Sequence, residues 1–269
     1  MMKLEIYKAL WGMTGPLDDQ LTRIKAAGYD GIETGVPKSE DLPGFLKSLE
    51  KHQLKFIGML FTAGKTAAEH IKSFDELLSR AVDSNPVKLT VHSARDSFSF
   101  DDQCRFYDAA LKTEARYNVS IGHETHRGRA MFTPWAAAAL LEKFPTLKLC
   151  ADFSHWCCVC ESLLHDNEES VQLALSHTVH IHARVGYEEG PQVTDPAAPE
   201  SKYALDRHLL WWDAILAHQK STGAALATLT PEFGPPGYLH TLPYTQQPVA
   251  DLWQICLWMK DLLKKRYAE

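Results

Sequence analysis

Short apolar runs and longer segments of helical periodicity take turns along the whole chain. The strand-like runs fall at 4–11, 30–35, 54–61, 87–92, 119–125, 147–153, 179–185 and 226–232. Between them, apolar residues at three- and four-residue intervals predict helices at 16–27, 39–52, 66–84, 101–117, 134–143, 167–176, 202–221 and 248–266. Strands that alternate with helices form a parallel sheet covered by those helices, and eight of each is the number that closes a (β/α)8 TIM barrel of the α/β class. No linker rich in Gly, Pro or Ser divides residues 1–269, so a single domain is expected.

Local signals agree with that reading. Pro16 suits the start of the first helix, where a missing N–H costs nothing, and Gly28 suits a left-handed stop. Thr133-Pro134 reads as a cap with a first-turn proline ahead of Trp135-Ala136-Ala137-Ala138-Ala139-Leu140-Leu141. Leu252, Ile255, Cys256, Met259, Leu262 and Leu263 form one stripe, expected to seal the barrel. Trp211-Trp212 is ambiguous, because adjacent residues do not share the centre of a helix face.

Parallel strands under helices should be apolar outward. On the fifth strand Val119, Ile121, His123 and Thr125 alternate with Ser120, Gly122, Glu124 and His126; on the sixth Leu147, Leu149, Ala151 and Phe153 alternate with Lys148, Cys150, Asp152 and Ser154; and on the seventh Val179, Ile181, Ala183 and Val185 alternate with Thr178, His180, His182 and Arg184. The polar set points inward, and polarity inside a barrel needs a reason. Acids and histidines gather toward the carboxyl ends, where barrel enzymes build their sites. Glu124, Asp152, His182 and Glu232 are therefore candidate ligands for one divalent metal ion. Carboxylates with one imidazole suit Mn, Mg, Co or Zn without choosing among them. Three crowded carboxylates would repel one another strongly without a cation.

The string Ala26-Ala27-Gly28-Tyr29-Asp30-Gly31-Ile32-Glu33 resembles the second-strand signature of the xylose-isomerase-like barrel superfamily, whose members include sugar epimerases, inosose dehydratases and endonuclease IV-type repair enzymes. Glu124-Thr125-His126, Asp152-Phe153-Ser154-His155, His182-Ala183-Arg184 and Pro231-Glu232-Phe233-Gly234 carry the resemblance onward in the same order. It implies the metal set of the ketose 3-epimerase branch at Glu124, Asp152, His182 and Glu232, with Glu124 and Glu232 also serving as the catalytic acid/base pair. It also implies substrate contacts at His155 and Arg184. His126, His92 and Glu33 are further candidate substrate contacts, with structural hydrogen bonds as the alternative. His180 shares a face with His182 but lies one layer deeper and reads as a core histidine. The long connection from Gly186 to Pro199 reads as a lid or substrate wall.

These residues point to a metal-dependent sugar or keto-polyol isomerase or epimerase that moves a proton beside a chelated carbonyl. A dehydratase or other lyase begins with the same step, as does elimination from 3-keto-glycosides. Asp206-Arg207-His208 resembles a triplet of the repair branch but runs into the helical Leu209-Leu210-Trp211-Trp212. The formal charge of −6 also argues against a nucleic-acid partner. A non-catalytic sugar-binding barrel would have no need of all four ligands.

Hydrophobic residues are 45% of the chain and charged residues 23%, a globular balance. No apolar run is long enough for a membrane helix or a signal-peptide core, so a cytoplasmic protein is expected. Cys157-Cys158-Val159-Cys160 has no second pair to complete a thiolate zinc site and reads as reduced thiols packed beside the sixth strand. A small carbohydrate is the expected partner, and a homo-oligomer is left open.

Overall fold

The computed structural model describes residues 2–267. Eight parallel strands close into a barrel in chain order: β1 (Lys3–Ala9), β2 (Gly31–Gly35), β3 (Lys55–Phe61), β4 (Lys88–His92), β5 (Ser120–Glu124), β6 (Leu149–Ala151), β7 (Thr178–His182) and β8 (Leu226–Thr230). Closure is made by β8 against β1, with Lys3 opposite Leu226 and Ile6 opposite Leu229. Outside lie α1 (Leu17–Ala26), α2 (Leu42–His52), α3 (Ala67–Val82), α4 (Phe100–Glu114), α5 (Pro134–Lys143), α6 (Phe153–Val159), α7 (Glu168–His177), α8 (Lys202–Ser221) and α9 (Leu252–Tyr267).

The local signals act as their chemistry dictates. Pro16 is the residue before α1, and Gly28, at φ +76°, ends it with an N–H bond to the Lys25 carbonyl. Thr133 caps α5 by accepting from the Ala136 N–H. In α9, Ile255, Cys256, Met259 and Leu263 are buried, while Leu252 and Leu262 lie at the margin of the same seam. Trp211 and Trp212 are both buried, because α8 presents an unusually broad buried arc that also takes in Leu205, His208, Leu209, Ile215 and Leu216. Their rings flank His208, at centroid distances of 4.9 and 5.8 Å.

The strands are shorter than their apolar runs at the end that matters. β6 stops at Ala151, β7 at His182 and β8 at Thr230, so Asp152, Arg184 and Glu232 sit just beyond the ladder. Asp152 instead starts α6, a helix absent from the sequence reading. Its run of aromatic and cysteine residues has weak helix propensity and no charge pattern, and burial of Phe153, Trp156 and Cys157 overrides that preference. All six cysteines are free thiols.

At the amino end the barrel is closed by its own charges. Buried Glu5 accepts from Tyr7 at 2.8 Å and pairs with Lys3 at 2.7 Å and with Lys55. The carboxyl end is open.

Candidate active site

Four side chains converge at that open end. Glu124 and His182 are the last residues of β5 and β7, Asp152 follows β6, and Glu232 lies two residues past β8. Each offers an atom within 4.8 Å of the others, and all four are buried. These are the four ligand candidates from the sequence.

The contacts among them are not ordinary hydrogen bonds. His182 Nδ1 lies 3.0 Å from Glu232 Oε2 and 3.4 Å from Glu124 Oε1, and His92 Nε2 lies 2.6 Å from Glu124 Oε2. Yet both Glu124 oxygens, His182 Nδ1 and His92 Nε2 lack a partner in hydrogen-bond geometry. Buried polar atoms are rarely left so, and each would cost on the order of 1–3 kcal/mol if nothing satisfied it. Lone pairs from two carboxylates and an imidazole aimed at one point fit a hard or borderline dication.

The opposite side of the His182 ring is tied down. Its Nε2 lies 3.0 Å from Glu33 Oε1, which also accepts from Thr90 Oγ1 at 2.8 Å. The other Glu33 oxygen takes His180 Nε2 at 3.1 Å, and His180 Nδ1 reaches Thr228 Oγ1 at 2.7 Å. His180 is thus a fully bonded histidine one layer below the site. Glu33, on the floor of the cavity, has both oxygens engaged by the barrel itself.

Asp152 arrives with its own partners. Its N–H is held by Thr125 Oγ1 at 2.8 Å, Oδ1 accepts from the Ser154 N–H and hydroxyl, and Oδ2 meets the Arg184 guanidinium. Arg184, 1% exposed, also donates to Ser154 Oγ at 3.1 Å and His155 Nε2 at 2.7 Å, and approaches Glu232 Oε2 at 3.7 Å. Tight backbone returns after both strands set these neighbours over the site: the His126 N–H reaches the Glu124 carbonyl at 3.0 Å, and the Arg184 N–H reaches that of His182 at 2.9 Å.

The charges follow from these contacts. Burial would raise Glu124, but His92 and His182 hold it well below the usual carboxylate range. Burial pushes Asp152 up to about 6, with Arg184 pulling against it and Glu232 and Glu124 adding to it. Burial would lower His182, but the Cys150 thiol and the carboxylates of Glu232, Glu33 and Glu124 raise it well above its ordinary value. In that setting a bound dication would take the proton's place. Burial keeps His126 down at about 3, and it keeps His155 well below its usual range, so both rings are neutral. Their centroids lie 3.9 Å apart, and His126 lies 4.7 Å from His92.

Above the cluster opens a cavity of about 430 Å³. Glu33, His92, Glu124, His126, Arg184 and Glu232 line one part of it, and His155 stands behind Arg184. The remaining walls, which the sequence reading missed, are Leu10 and Trp11 after β1, Thr34 and Gly35 at the end of β2, Met59 and Phe61 on β3, and Tyr238. Their only sequence signal was the position of Trp11 and Phe61 at strand ends. The segment 186–199, expected to be the lid or wall, contributes nothing to this lining. It packs sideways instead: Gln192 accepts from the Gly234 N–H at 2.7 Å and donates to the Gly234 carbonyl at 3.3 Å. Its first residue, Gly186, is held by His208 Nε2 at 3.2 Å, which accounts for the histidine of the Asp206-Arg207-His208 triplet.

The family model described as xylose isomerase-like TIM barrel matches residues 21–231. The chain belongs to that family. Among solved structures, a probable 3-DHS dehydratase involved in petrobactin synthesis in Bacillus anthracis is 16% identical, with 99% of this chain and 100% of that one covered at a TM-score of 0.63. A 3-keto-D-glucoside 4-epimerase from E. coli is 14% identical, covering 98% and 100% at 0.61. A family member from Mycobacterium smegmatis in complex with magnesium is 10% identical, covering 97% and 95% at 0.61. At such identities the likeness is one of fold. A search of curated proteins finds no significant match.

Proposed function

We propose that the protein is a divalent-metal-dependent isomerase or epimerase of a sugar or keto-polyol, with Glu124, Asp152, His182 and Glu232 as metal ligands. The observation that carries this is the set of unpartnered buried atoms on Glu124 and His182, aimed with Glu232 at one point on the floor of a cavity of substrate size. The bound ion would polarise adjacent oxygens of the substrate and so acidify the C–H between them.

The chain's own residues do the rest. Glu124 and Glu232 reach the site from strands well apart around the ring, so one takes the carbon-bound proton and the other returns it. Return to the same carbon inverts it, and return to the neighbouring carbon interconverts aldose and ketose. Arg184 holds Asp152 in place and lines the cavity, where it orients a substrate oxygen, with His155 fixing its guanidinium from behind. Neutral His126, together with His92, serves as a hydrogen-bond partner for substrate hydroxyls. Loss of a β-hydroxyl after the same first step would make the enzyme a lyase. The E. coli and Bacillus anthracis proteins, named as an epimerase and a dehydratase, support keeping both outcomes on one scaffold.

The test is proton exchange. Manganese-loaded protein is incubated with ketoses, inososes and 3-keto-glycosides in deuterated water and followed by NMR. Metal-dependent deuterium incorporation at carbon supports the proposal, new double bonds would move it to a lyase, and no exchange on any of them would sink it.

A further inference from the structure

We infer that the cavity takes a keto-glycoside, meaning a keto-sugar bearing a flat, uncharged apolar substituent, in preference to a free or phosphorylated sugar. The carbonyl-bearing head rests on the proton-transfer reading above, while the apolar body follows from the opposite wall. Trp11 and Phe61 line the same cavity as Glu124 and Glu232 and remain 39% and 47% exposed. Large aromatic surface held open to water at a cavity mouth gains free energy when a flat apolar group covers it.

Neither ring is loose. The Trp11 indole lies against Gly234, where an added Cβ would stand only 2.3 Å from the ring, and Tyr238 meets it edge-on with centroids 4.9 Å apart. Gly234 is two residues from Glu232, so the absent side chain lets the indole pack on the segment that carries that carboxylate. Phe61 leans on His92, with centroids 4.4 Å apart at 33°, and His92 touches Glu124. Trp11 thus packs on the segment that carries Glu232 and Phe61 on the histidine that touches Glu124, with Leu10 and Met59 extending the apolar side. Charge excludes the phosphorylated alternative. No lysine lines the cavity, and its one arginine, Arg184, is already engaged by Asp152. A phosphate would meet the Glu33, Glu124 and Glu232 carboxylates, and Arg184, whose charge Asp152 already balances, can orient a neutral substrate oxygen but does not offset the phosphate's charge.

Equilibrium binding of phenyl β-D-glucoside, methyl β-D-glucoside and glucose 6-phosphate to the manganese-loaded protein tests this without turnover. Phenyl should bind roughly tenfold or more tightly than methyl, and glucose 6-phosphate most weakly. Phe61→Ala and Trp11→Ala should each shrink the phenyl-to-methyl ratio toward one, while Phe61→Tyr should preserve it. Equal affinities for phenyl and methyl, a preference for the phosphate, or a ratio unmoved by both alanine variants would overturn the inference. Each of those results leaves proton exchange on an unsubstituted ketose standing, whereas absence of exchange with bound phenyl 3-keto-β-D-glucoside would sink the catalytic reading and keep the subsite.

Discussion

His182 is gripped from below by Glu33: its Nε2 lies 3.0 Å from Glu33 Oε1, on the side of the ring away from Glu124 and Glu232. A carboxylate behind an imidazole fixes which nitrogen keeps its proton and turns the other lone pair toward a metal. Glu33→Gln should therefore fold, yet bind manganese about 10- to 100-fold more weakly. Titration against a chelating dye measures this directly. Unchanged affinity would reduce Glu33 to a buried hydrogen-bond partner with no bearing on the site.

Removing either acid/base candidate should be more severe for chemistry than for folding. Glu124→Gln and Glu232→Gln are expected to slow solvent exchange by roughly 10²–10⁴-fold. Metal content must be read in the same samples, because both residues are also proposed ligands. A variant that keeps its metal and its exchange rate would lose its catalytic assignment. In the wild type, manganese at a hundredfold excess over its dissociation constant should add about 2.7 kcal/mol of stability, removed again by chelator.

Gln192 joins the connection after β7 to the segment that carries Glu232. Gln192→Ala would leave the Gly234 N–H and carbonyl unpaired in a buried place and should cost about 1–3 kcal/mol in urea unfolding. Weaker manganese binding should accompany it if the tie also holds Glu232 in place, and intact binding would confine Gln192 to stability.

His208 gives the protein an acid-sensitive tie between α8 and Gly186. It donates through Nδ1 to the Ala204 carbonyl and accepts the Gly186 N–H at Nε2, and burial lowers it to about 4. Between pH 6.5 and 4 the unfolded chain binds a proton that the folded chain refuses. Stability must then fall as pH drops through that window, by as much as roughly 3 kcal/mol from this group. His208→Gln, which keeps a donor and an acceptor, should flatten that part of the pH dependence relative to the wild type. Parallel slopes for the two proteins in urea titrations at pH 7, 5.5 and 4 would refute it.

What the linear chain determined was whatever repeats locally. Alternation of apolar runs with helical stripes demanded eight strand–helix units, and a period of two along each strand placed Glu124, His180 and His182 inward. Such patterns depend on neighbours a few positions away, so they survive without knowledge of the fold. Tertiary structure decided the rest, because it depends on which strands stand side by side around the ring. Glu33 meets His182 across 149 positions of sequence, and Trp11 meets Gly234 only because β8 closes onto β1. The helix α6 forms from residues with little preference for helix because burying Phe153 and Trp156 outweighs that preference. The segment 186–199 turns away from the cavity because Gln192 finds its partners on the neighbouring connection, a pairing that no local pattern encodes.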